Sequence, residues 1–189
     1  MSADDRKKWN GKYADAANSP GKPSEVLREL TRYLLPRGRA LDLAGGAGRN
    51  AIWLAQQGWD VTIADISTVG LNLAKDRAKR AEVHIHTLEI DLEREPLNAE
   101  PFDLILSVCY LCRHIFSDLS KYLGENGVLI VIQPTKKNLE RHDKPPEAYL
   151  FEPGELKSLA KGFDVVHYVE DWSADGRHDA VLVARHARE

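Results

Sequence analysis

The hydrophobic and polar positions of this chain follow two alternating patterns, short apolar runs typical of buried strands and longer segments with apolar residues at helical spacing. The apolar runs predict strands at 39–43, 60–66, 83–91, 102–108 and 127–133. The helical segments between them are 51–58, 67–80 and 115–123. Strands that alternate with helices favour a parallel sheet with right-handed crossovers.

The start of the chain departs from this alternation and predicts two helices, at 4–17 and 24–35, joined by a turn at 18–23. Trp9 and Tyr13 are four residues apart, so on a helix they share one face of an otherwise polar segment. Either these aromatic rings hold the helix against the body of the domain, or they cover a ligand.

The end of the chain predicts a long excursion and a hairpin. Residues 135–153 are rich in Lys, Glu, His and Pro without periodicity, which indicates a surface loop, and long loops of this kind are often lids. A short helix at 154–161 follows. Strands at 163–172 and 179–185 are joined by so short a turn that they must be antiparallel. We therefore predict a Rossmann-like α/β fold, with a seven-stranded, mostly parallel sheet, an antiparallel last strand and helices on both faces.

Composition and charge narrow the class of protein. The 189 residues are 43% hydrophobic, enough for one domain with a sizeable core. The formal net charge is only −3 with acids and bases interspersed, so we expect neither nucleic acid nor a membrane surface as a partner. No signal-peptide pattern or run of about 20 apolar residues is present. We expect a cytoplasmic protein, monomeric or homodimeric, that acts on a small molecule.

The segment 42–50 reads as the end of a strand, a glycine-rich turn and the start of a helix. Residues 46–51 fit the dinucleotide pattern G-x-G-x-x-A, and Asp65 lies about 20 residues on, where an acid accepts from ribose hydroxyls. Three features point away from a nicotinamide: Asp42 sits within the first strand, Asp91 ends the third, and a C-terminal hairpin closes the sheet. Together they favour another nucleoside cofactor.

With these features the chain resembles the class I S-adenosylmethionine-dependent methyltransferases. The resemblance covers nearly the whole chain and rests on the stretch 42–48, Asp65, Asp91-Leu92 and the strand 102–108. Within that superfamily it resembles small bacterial enzymes of the tellurite-resistance or thiopurine-methyltransferase type, through 48–51, 150–156, Trp9 and Tyr13. Two departures are Ala44, where the general motif has its first glycine, and Gly45, where the subgroup usually has cysteine.

The resemblance implies a single methyltransferase domain over 1–189 and S-adenosylmethionine as the cofactor. Its parts would be an N-terminal helical cap at 1–35, a cofactor-binding core at 36–134, a loop or lid at 135–153, and a helix with the C-terminal hairpin at 154–189. We expect the lid to close over the substrate.

The resemblance also implies roles for individual residues. Asp42 would accept from the cofactor's ammonium group, Asp65 from both ribose hydroxyls, and Asp91 from the adenine amine. Ile66 and Leu92 would enclose the adenine ring, and Arg49 or Tyr13 would reach the carboxylate. An alternative for Asp42 is a buried acid that only caps the loop amides. The full predicted set is Trp9, Tyr13, Asp42, Ala44, Gly45, Gly46, Gly48, Arg49, Asn50, Asp65, Ile66, Asp91, Leu92, Ser107 and Val108.

Methyl transfer from a sulfonium needs alignment and exclusion of water more than a catalytic motif, so no catalytic residue is assigned. An anionic sulfur, selenium or tellurium acceptor needs no base, whereas a hydroxyl acceptor needs a nearby His or carboxylate. The candidates are Arg113 as an anchor for an anion, His114 as a base, and Tyr110. His142 and Tyr149 in the excursion have similar standing.

Cys109 and Cys112 form a single C-x-x-C and are the only cysteines, so we expect reduced thiols and no metal site. A thiol pair for a metalloid or for redox exchange, and a half zinc site with His114, remain as alternatives. We favour Cys109 in the cofactor pocket and Cys112 in the core.

At the level of function, the alternatives to a methyltransferase are an NAD(P)-dependent reductase and a noncatalytic nucleoside-binding module.

Overall fold

The computed structural model describes residues 3–15, 21–34, 37–173 and 175–186. The helices are α1 Ala3–Asp15, α2 Glu25–Glu29, α3 Arg49–Gln56, α4 Thr68–Arg80, α5 Phe116–Tyr122 and α6 Glu155–Leu159. The strands are β1 Arg39–Leu43, β2 Asp60–Asp65, β3 His86–Glu89, β4 Phe102–Val108, β5 Leu123–Pro134, β6 Phe163–Trp172 and β7 His178–His186. No helix of the described residues is both long enough and apolar enough to cross a membrane.

The seven strands form one sheet in the order β3-β2-β1-β4-β5-β7-β6. Strands β1 to β5 pair in parallel, β7 is antiparallel to β5, and β6 is antiparallel to β7. The predicted fold class is confirmed. The chain order reverses direction between β1 and β4, and in such sheets a crevice opens beyond the carboxyl ends of these two strands.

The central strands are buried because a hydrophobic layer covers each face of the sheet. On one face, residues of β4 such as Leu104 and Leu106 pack in the same cluster as Leu54 of α3 and Leu71 of α4. On the other face, Ile105 belongs to the cluster that contains Leu119 of α5. This alternation within β4 is the period of two that a strand imposes, and burial on both faces explains the uninterrupted apolar run at 104–106.

Several element boundaries differ from the sequence prediction. The predicted strand 127–133 begins earlier, at Leu123, because Leu123 pairs with Phe102 across a register shift in β4. The predicted helix 24–35 divides into α2 and a 3₁₀ turn over Leu30–Tyr33. The predicted strand 83–91 shortens to β3. Residues 16–20, which include the first half of the turn predicted at 18–23, and residues 35–36 lie outside the described residues.

The predicted excursion 135–153 leaves the sheet and returns to it at one point. Thr135 forms a parallel bridge with Phe151, Lys136 N–H donates to Phe151 O at 2.8 Å, and Phe151 N–H donates to Pro134 O at 3.1 Å. The Phe151 side chain is fully buried, and its ring lies 6.4 Å from that of Phe116. Between these anchors the segment forms two 3₁₀ turns, Lys136–Glu140 and Glu147–Tyr149.

We expect Phe151→Ala to lower the free energy of unfolding by about 3–5 kcal/mol, because it leaves a cavity under the return of the excursion. The measurement is chemical denaturation. Leu139→Ala, in the same excursion but with an exposed side chain, should change stability by less than about 0.5 kcal/mol. Equal effects of the two substitutions would mean that Phe151 does not anchor the excursion to the core.

Candidate functional site

A pocket of about 690 Å³ opens at the carboxyl ends of the parallel strands. It brings together most of the residues selected from the sequence. Those that line it are Trp9, Tyr13, Asp42, Ala44, Gly45, Arg49, Asn50, Asp65, Ile66, Leu92, Val108, Cys109, Tyr110 and Tyr149. Helix α1 and the second half of the excursion contribute to the same cavity, which therefore has walls outside the sheet.

The glycine loop between β1 and α3 turns through three residues with positive φ, Ala44 at 52°, Gly46 at 52° and Gly48 at 79°. Ala44 thus adopts the left-handed conformation that glycine favours, which accounts for a glycine in the general motif at this position. At Gly45 a Cβ atom would lie 2.6 Å from Asp42 Oδ2. The backbone therefore passes close over the Asp42 carboxylate, and a larger residue at position 45 would displace one of them.

Asp42 is a buried acid with an unsatisfied oxygen. Its Oδ2 has no hydrogen-bond partner among the described residues, while the backbone N–H of Ala51 donates to the carboxylate. Burial raises the pKa of Asp42 to about 7, against the opposing effect of Arg49. Ala51 lies in the first turn of α3, so this contact caps the helix rather than the amides of the loop, which was the alternative role for Asp42. The second oxygen leaves an acceptor for a donor in the pocket.

Asp65 joins three elements of the site. Its Oδ2 accepts from Gly46 N–H at 2.8 Å and its Oδ1 from Ser67 N–H at 2.7 Å, so the end of β2 holds both the glycine loop and the start of α4. Burial raises the pKa of Asp65, although these backbone donors oppose the rise. Each carboxylate oxygen has a second lone pair, which leaves two acceptor positions for a vicinal diol.

Helix α1 closes the pocket above the glycine loop. Asn10 Oδ1 accepts from Ser67 Oγ at 2.7 Å and from Val69 N–H at 3.3 Å. The Tyr13 ring fits against Gly70, where a Cβ would lie 2.9 Å from the ring, and its hydroxyl packs on Gly46. Burial, together with the nearby Asp65 and Asp42, raises the pKa of Tyr13. The aromatic face of α1 therefore holds the helix in place and lines the cavity at once.

Beyond the glycine loop the pocket extends to residues that the sequence did not single out, including Lys8, Glu93 and Arg177. Arg177 lies in the turn between β6 and β7. Because β6 is parallel to β1–β5, its carboxyl end reaches the same edge of the sheet as theirs. The order and direction of the predicted strands were the signal that would have placed this turn at the pocket.

Other predicted residues lie outside the pocket wall or bond to neighbouring elements of the protein. Asp91 caps the turn after β3 by accepting from Glu93 N–H at 3.1 Å. Gly46, Gly48 and Ser107 shape the loop and strand behind the lining. Asn50 lines the pocket but its Oδ1 accepts from Ser24 N–H at 2.9 Å, which joins α3 to α2.

The catalytic candidates differ in whether they reach the pocket. Tyr110 lines the pocket, and burial raises the pKa of its hydroxyl. Arg113 is exposed and forms an ion pair with Glu155, and the exposed His114 lies 3.6 Å from Cys112 Sγ. His142 is bonded to the Gly176 carbonyl oxygen at 2.8 Å. Arg113, His114 and His142 do not line the cavity.

Both cysteines are free thiols. Cys112 is buried, whereas Cys109 is solvent-accessible within the pocket and has a φ of 57°. The protein around Cys109 desolvates it and raises the pKa of its thiol, although Arg177 opposes the rise. Over the described residues, no group of three or more His, Cys, Asp or Glu side chains is arranged to hold a metal ion.

Comparison with known proteins agrees with this geometry. Residues 40–127 match the family model of a methyltransferase domain. An uncharacterized methyltransferase, YodH of Bacillus subtilis, is 28% identical over 138 residues, which are 70% of this chain and 54% of that protein. The chain thus spans about half the length of this curated relative. The methyltransferase resemblance predicted from the sequence is confirmed.

Two solved structures share the fold. TehB from Haemophilus influenzae has a TM-score of 0.72 and 19% identity, over 95% of this chain and 67% of that one. Magnesium protoporphyrin IX methyltransferase (ChlM) from Synechocystis, solved with bound SAH, has a TM-score of 0.73 and 17% identity, over 96% and 97% of the two chains. At these identities the similarity concerns the fold.

The contact between Tyr13 and the glycine loop predicts a coupled pair of substitutions. Gly46→Ala should strain the positive φ and collide with Tyr13, so it should destabilise the protein and reduce hydrogen-exchange protection in residues 4–15. In a Tyr13→Ala background the same change should cost at least about 1 kcal/mol less, because the collision is gone. Additive effects of the two substitutions would contradict direct packing between them.

Proposed function

We propose that this chain, which carries a methyltransferase domain over residues 40–127, binds S-adenosylmethionine in the pocket and transfers its methyl group to a small-molecule acceptor. The observation that carries the proposal is the placement of Asp42 and Asp65 beside the glycine loop, at the ends of two adjacent strands. The two carboxylates suit a ligand with an ammonium group and a ribose. An acid at Asp65 also suits the ribose of a dinucleotide, but the Asp42 carboxylate lies directly against the glycine loop, where it disfavours a pyrophosphate and so disfavours the alternative reductase.

The residues present fit this cofactor. The acceptor positions left on Asp65 suit the ribose hydroxyls, and the unsatisfied oxygen of Asp42 suits the ammonium, directly or through water. Arg49 and the Tyr13 hydroxyl line the same region and suit the carboxylate. The buried side chains of Ile66 and Leu92 form apolar walls for the adenine, whose amine would meet the segment Asp91–Glu93.

S-adenosylmethionine supplies a methyl group already activated by a sulfonium, so transfer is an in-line displacement in which the carbon–sulfur bond breaks as the bond to the acceptor forms. The contribution of this chain is alignment and exclusion of water. Trp9 and Tyr13 cover the pocket from α1, and Pro145, Pro146 and Tyr149 cover it from the excursion. Lys8 joins these two covers, since its ammonium contacts the Tyr149 hydroxyl and lies 4.7 Å from the centre of the ring.

Proton removal has little support from the lining. Among the described residues that line the pocket there is no histidine, and the lining carboxylates come from α1, the glycine-loop side and the segment after β3 (Asp5, Asp42, Asp65 and Glu93). In the part of the chain that the structure describes, the segment after β4, the end of β5 and the β6–β7 turn contribute no carboxylate to the lining, and burial raises the pKa values of Tyr110 and Cys109. An acceptor that enters as an anion needs no base, since displacement of the sulfide then leaves two neutral groups at the reacting atoms. Of the two acceptor classes open from the sequence, the lining favours the anionic one.

We expect Asp65→Ala to abolish binding of S-adenosylhomocysteine, because it removes the acceptors for the ribose and releases the glycine loop. The measurement is the thermal shift on ligand addition, with NAD and NADP as comparison ligands. Asp76→Ala, an exposed acid on α4, is the matched control. Stabilisation by NAD but not by S-adenosylhomocysteine would favour the reductase. Cofactor binding without methyl transfer to any thiol, amine, hydroxyl or oxyanion would favour the noncatalytic module.

The raised pKa of Asp42 predicts pH-dependent binding. The carboxylate form accepts from the ligand ammonium and becomes populated as pH passes about 7, so affinity for S-adenosylhomocysteine should rise from about pH 6 to about pH 8. The pKa of Asp42 is 3.8 in the unfolded chain and about 7 in the folded protein. Between these two pH values the ligand-free folded protein binds more protons than the unfolded chain, so its stability falls as pH rises from about 4 to about 7. Asp42→Asn should lower the affinity and flatten both profiles, as measured by calorimetry and denaturation.

A further inference from the structure

The pocket continues past the glycine loop to a region that the cofactor-binding residues do not use. The segment after β4 contributes Cys109, Tyr110 and Leu111, the end of β5 contributes Gln133, and the turn between β6 and β7 contributes Arg177. Under the proposed function this region receives the methyl acceptor. The chemistry of its polar groups therefore indicates the class of acceptor.

The Arg177 guanidinium has donors directed at this region. Its Nη2 donates to Asp179 Oδ2 at 2.7 Å, and its Nε lies 3.7 Å from Asp175 Oδ2. Its Nη1 lies 3.8 Å from the Sγ atom of Cys109, a weak acceptor that also lines the pocket. A guanidinium offers five N–H donors, so the Nη1 edge retains capacity for an anionic ligand while Asp179 holds the other edge.

The turn that carries Arg177 is braced by the first half of the excursion. Thr135 Oγ1 lies 2.7 Å from His178 Nδ1, Asn138 Nδ2 donates to His178 O at 2.6 Å, and His178 N–H donates to Asn138 Oδ1 at 3.2 Å. Asn138 and His178 are buried. The Arg141 guanidinium also stacks 3.6 Å from the ring centre of Trp172. This network fixes the backbone beside Arg177, and the bond to Asp179 holds its side chain, so less ordering is needed when a ligand binds.

The remaining lining adds one acceptor and apolar walls. Gln133 is 1% exposed, its Nε2 donates to Tyr149 O at 2.7 Å, and its Oε1 has no partner among the described residues. Leu111, Pro145 and Pro146 provide the apolar surface. A ligand that satisfies these groups has an anionic group, an apolar body and a hydrogen-bond donor.

We propose that Arg177 anchors the methyl acceptor through an anionic group, and that the acceptors are small, largely apolar molecules that carry a carboxylate or a similar planar anion. This inference rests on the proposed function, because it assigns the second substrate of the same pocket. Asp179 shares the guanidinium with the bound anion and so weakens its hold. The two partners of one ion pair therefore have opposite effects on acceptor affinity.

The test is calorimetric titration of the protein, loaded with S-adenosylhomocysteine, with benzoate and with benzamide, a neutral molecule of the same shape. We expect benzoate to bind more tightly. Arg177→Gln should weaken benzoate by about tenfold to a hundredfold and leave benzamide unchanged. Arg177→Lys, which keeps the charge but loses the planar fork, should fall between. Asp179→Asn should tighten benzoate by roughly threefold to tenfold. The exposed Arg32→Gln is the control.

Each outcome has a defined meaning. Equal binding of benzoate and benzamide to the wild type, or a loss of benzoate affinity in Asp179→Asn as large as in Arg177→Gln, overturns the proposal, since the pair then has only a structural role. Thermal unfolding shows whether each variant is folded. If Arg177→Gln fails to fold, the affinity of Arg177→Lys for benzoate, relative to the wild type, decides whether Arg177 binds the anion. A wild type that does not bind S-adenosylhomocysteine contradicts the proposed function instead, and titration of the unloaded protein with benzoate then still tests Arg177.

Discussion

The pair of hydrogen bonds from Gly46 N–H and Ser67 N–H to the Asp65 carboxylate is the interaction on which the site depends. It fixes the glycine loop after β1 to the end of β2 and to the start of α4. Ser67 in turn bonds to Asn10, so the position of α1 follows from the same carboxylate. Removing the charge of Asp65 would therefore disturb the cover of the pocket as well as its ligand contacts. The Asp65 carboxylate therefore holds these elements together whether or not a ligand is bound.

The sequence predicted the elements whose signal is local. Strand periodicity predicted the sheet, and the acids at positions 42 and 65 predicted where the pocket lies, since both line it. The start of β5 at Leu123 was missed because it is set by pairing with Phe102, a residue distant in sequence. Arg177 was missed for a related reason, since a short polar turn carries no mark of function until the sheet brings it to the pocket.

The two halves of the excursion, residues 135–153, contact different parts of the protein. Its first half, around Asn138, belongs to the brace behind the β6–β7 turn, and its second half, around Tyr149, forms a wall of the cavity and contacts Lys8. The bridge between Thr135 and Phe151 holds the two ends of the excursion together at the sheet. A lid that moved as one body would have to break the buried bonds of Asn138 and His178, which are costly to leave unsatisfied. We therefore expect any opening to be confined to the second half and α1.

Two acids of the pocket, Asp42 and Asp65, lie beside the glycine loop, and Arg177 lies in the turn between β6 and β7. Under the proposed function this arrangement suits a reaction in which a sulfonium and an anion become two neutral groups, because charge disappears as the transition state forms. A desolvated pocket accelerates such a reaction. A guanidinium on the attacking atom itself would stabilise the ground-state anion and oppose this gain. Arg177 is therefore best used on a carboxylate separate from the nucleophile, where it positions the acceptor without lowering its reactivity.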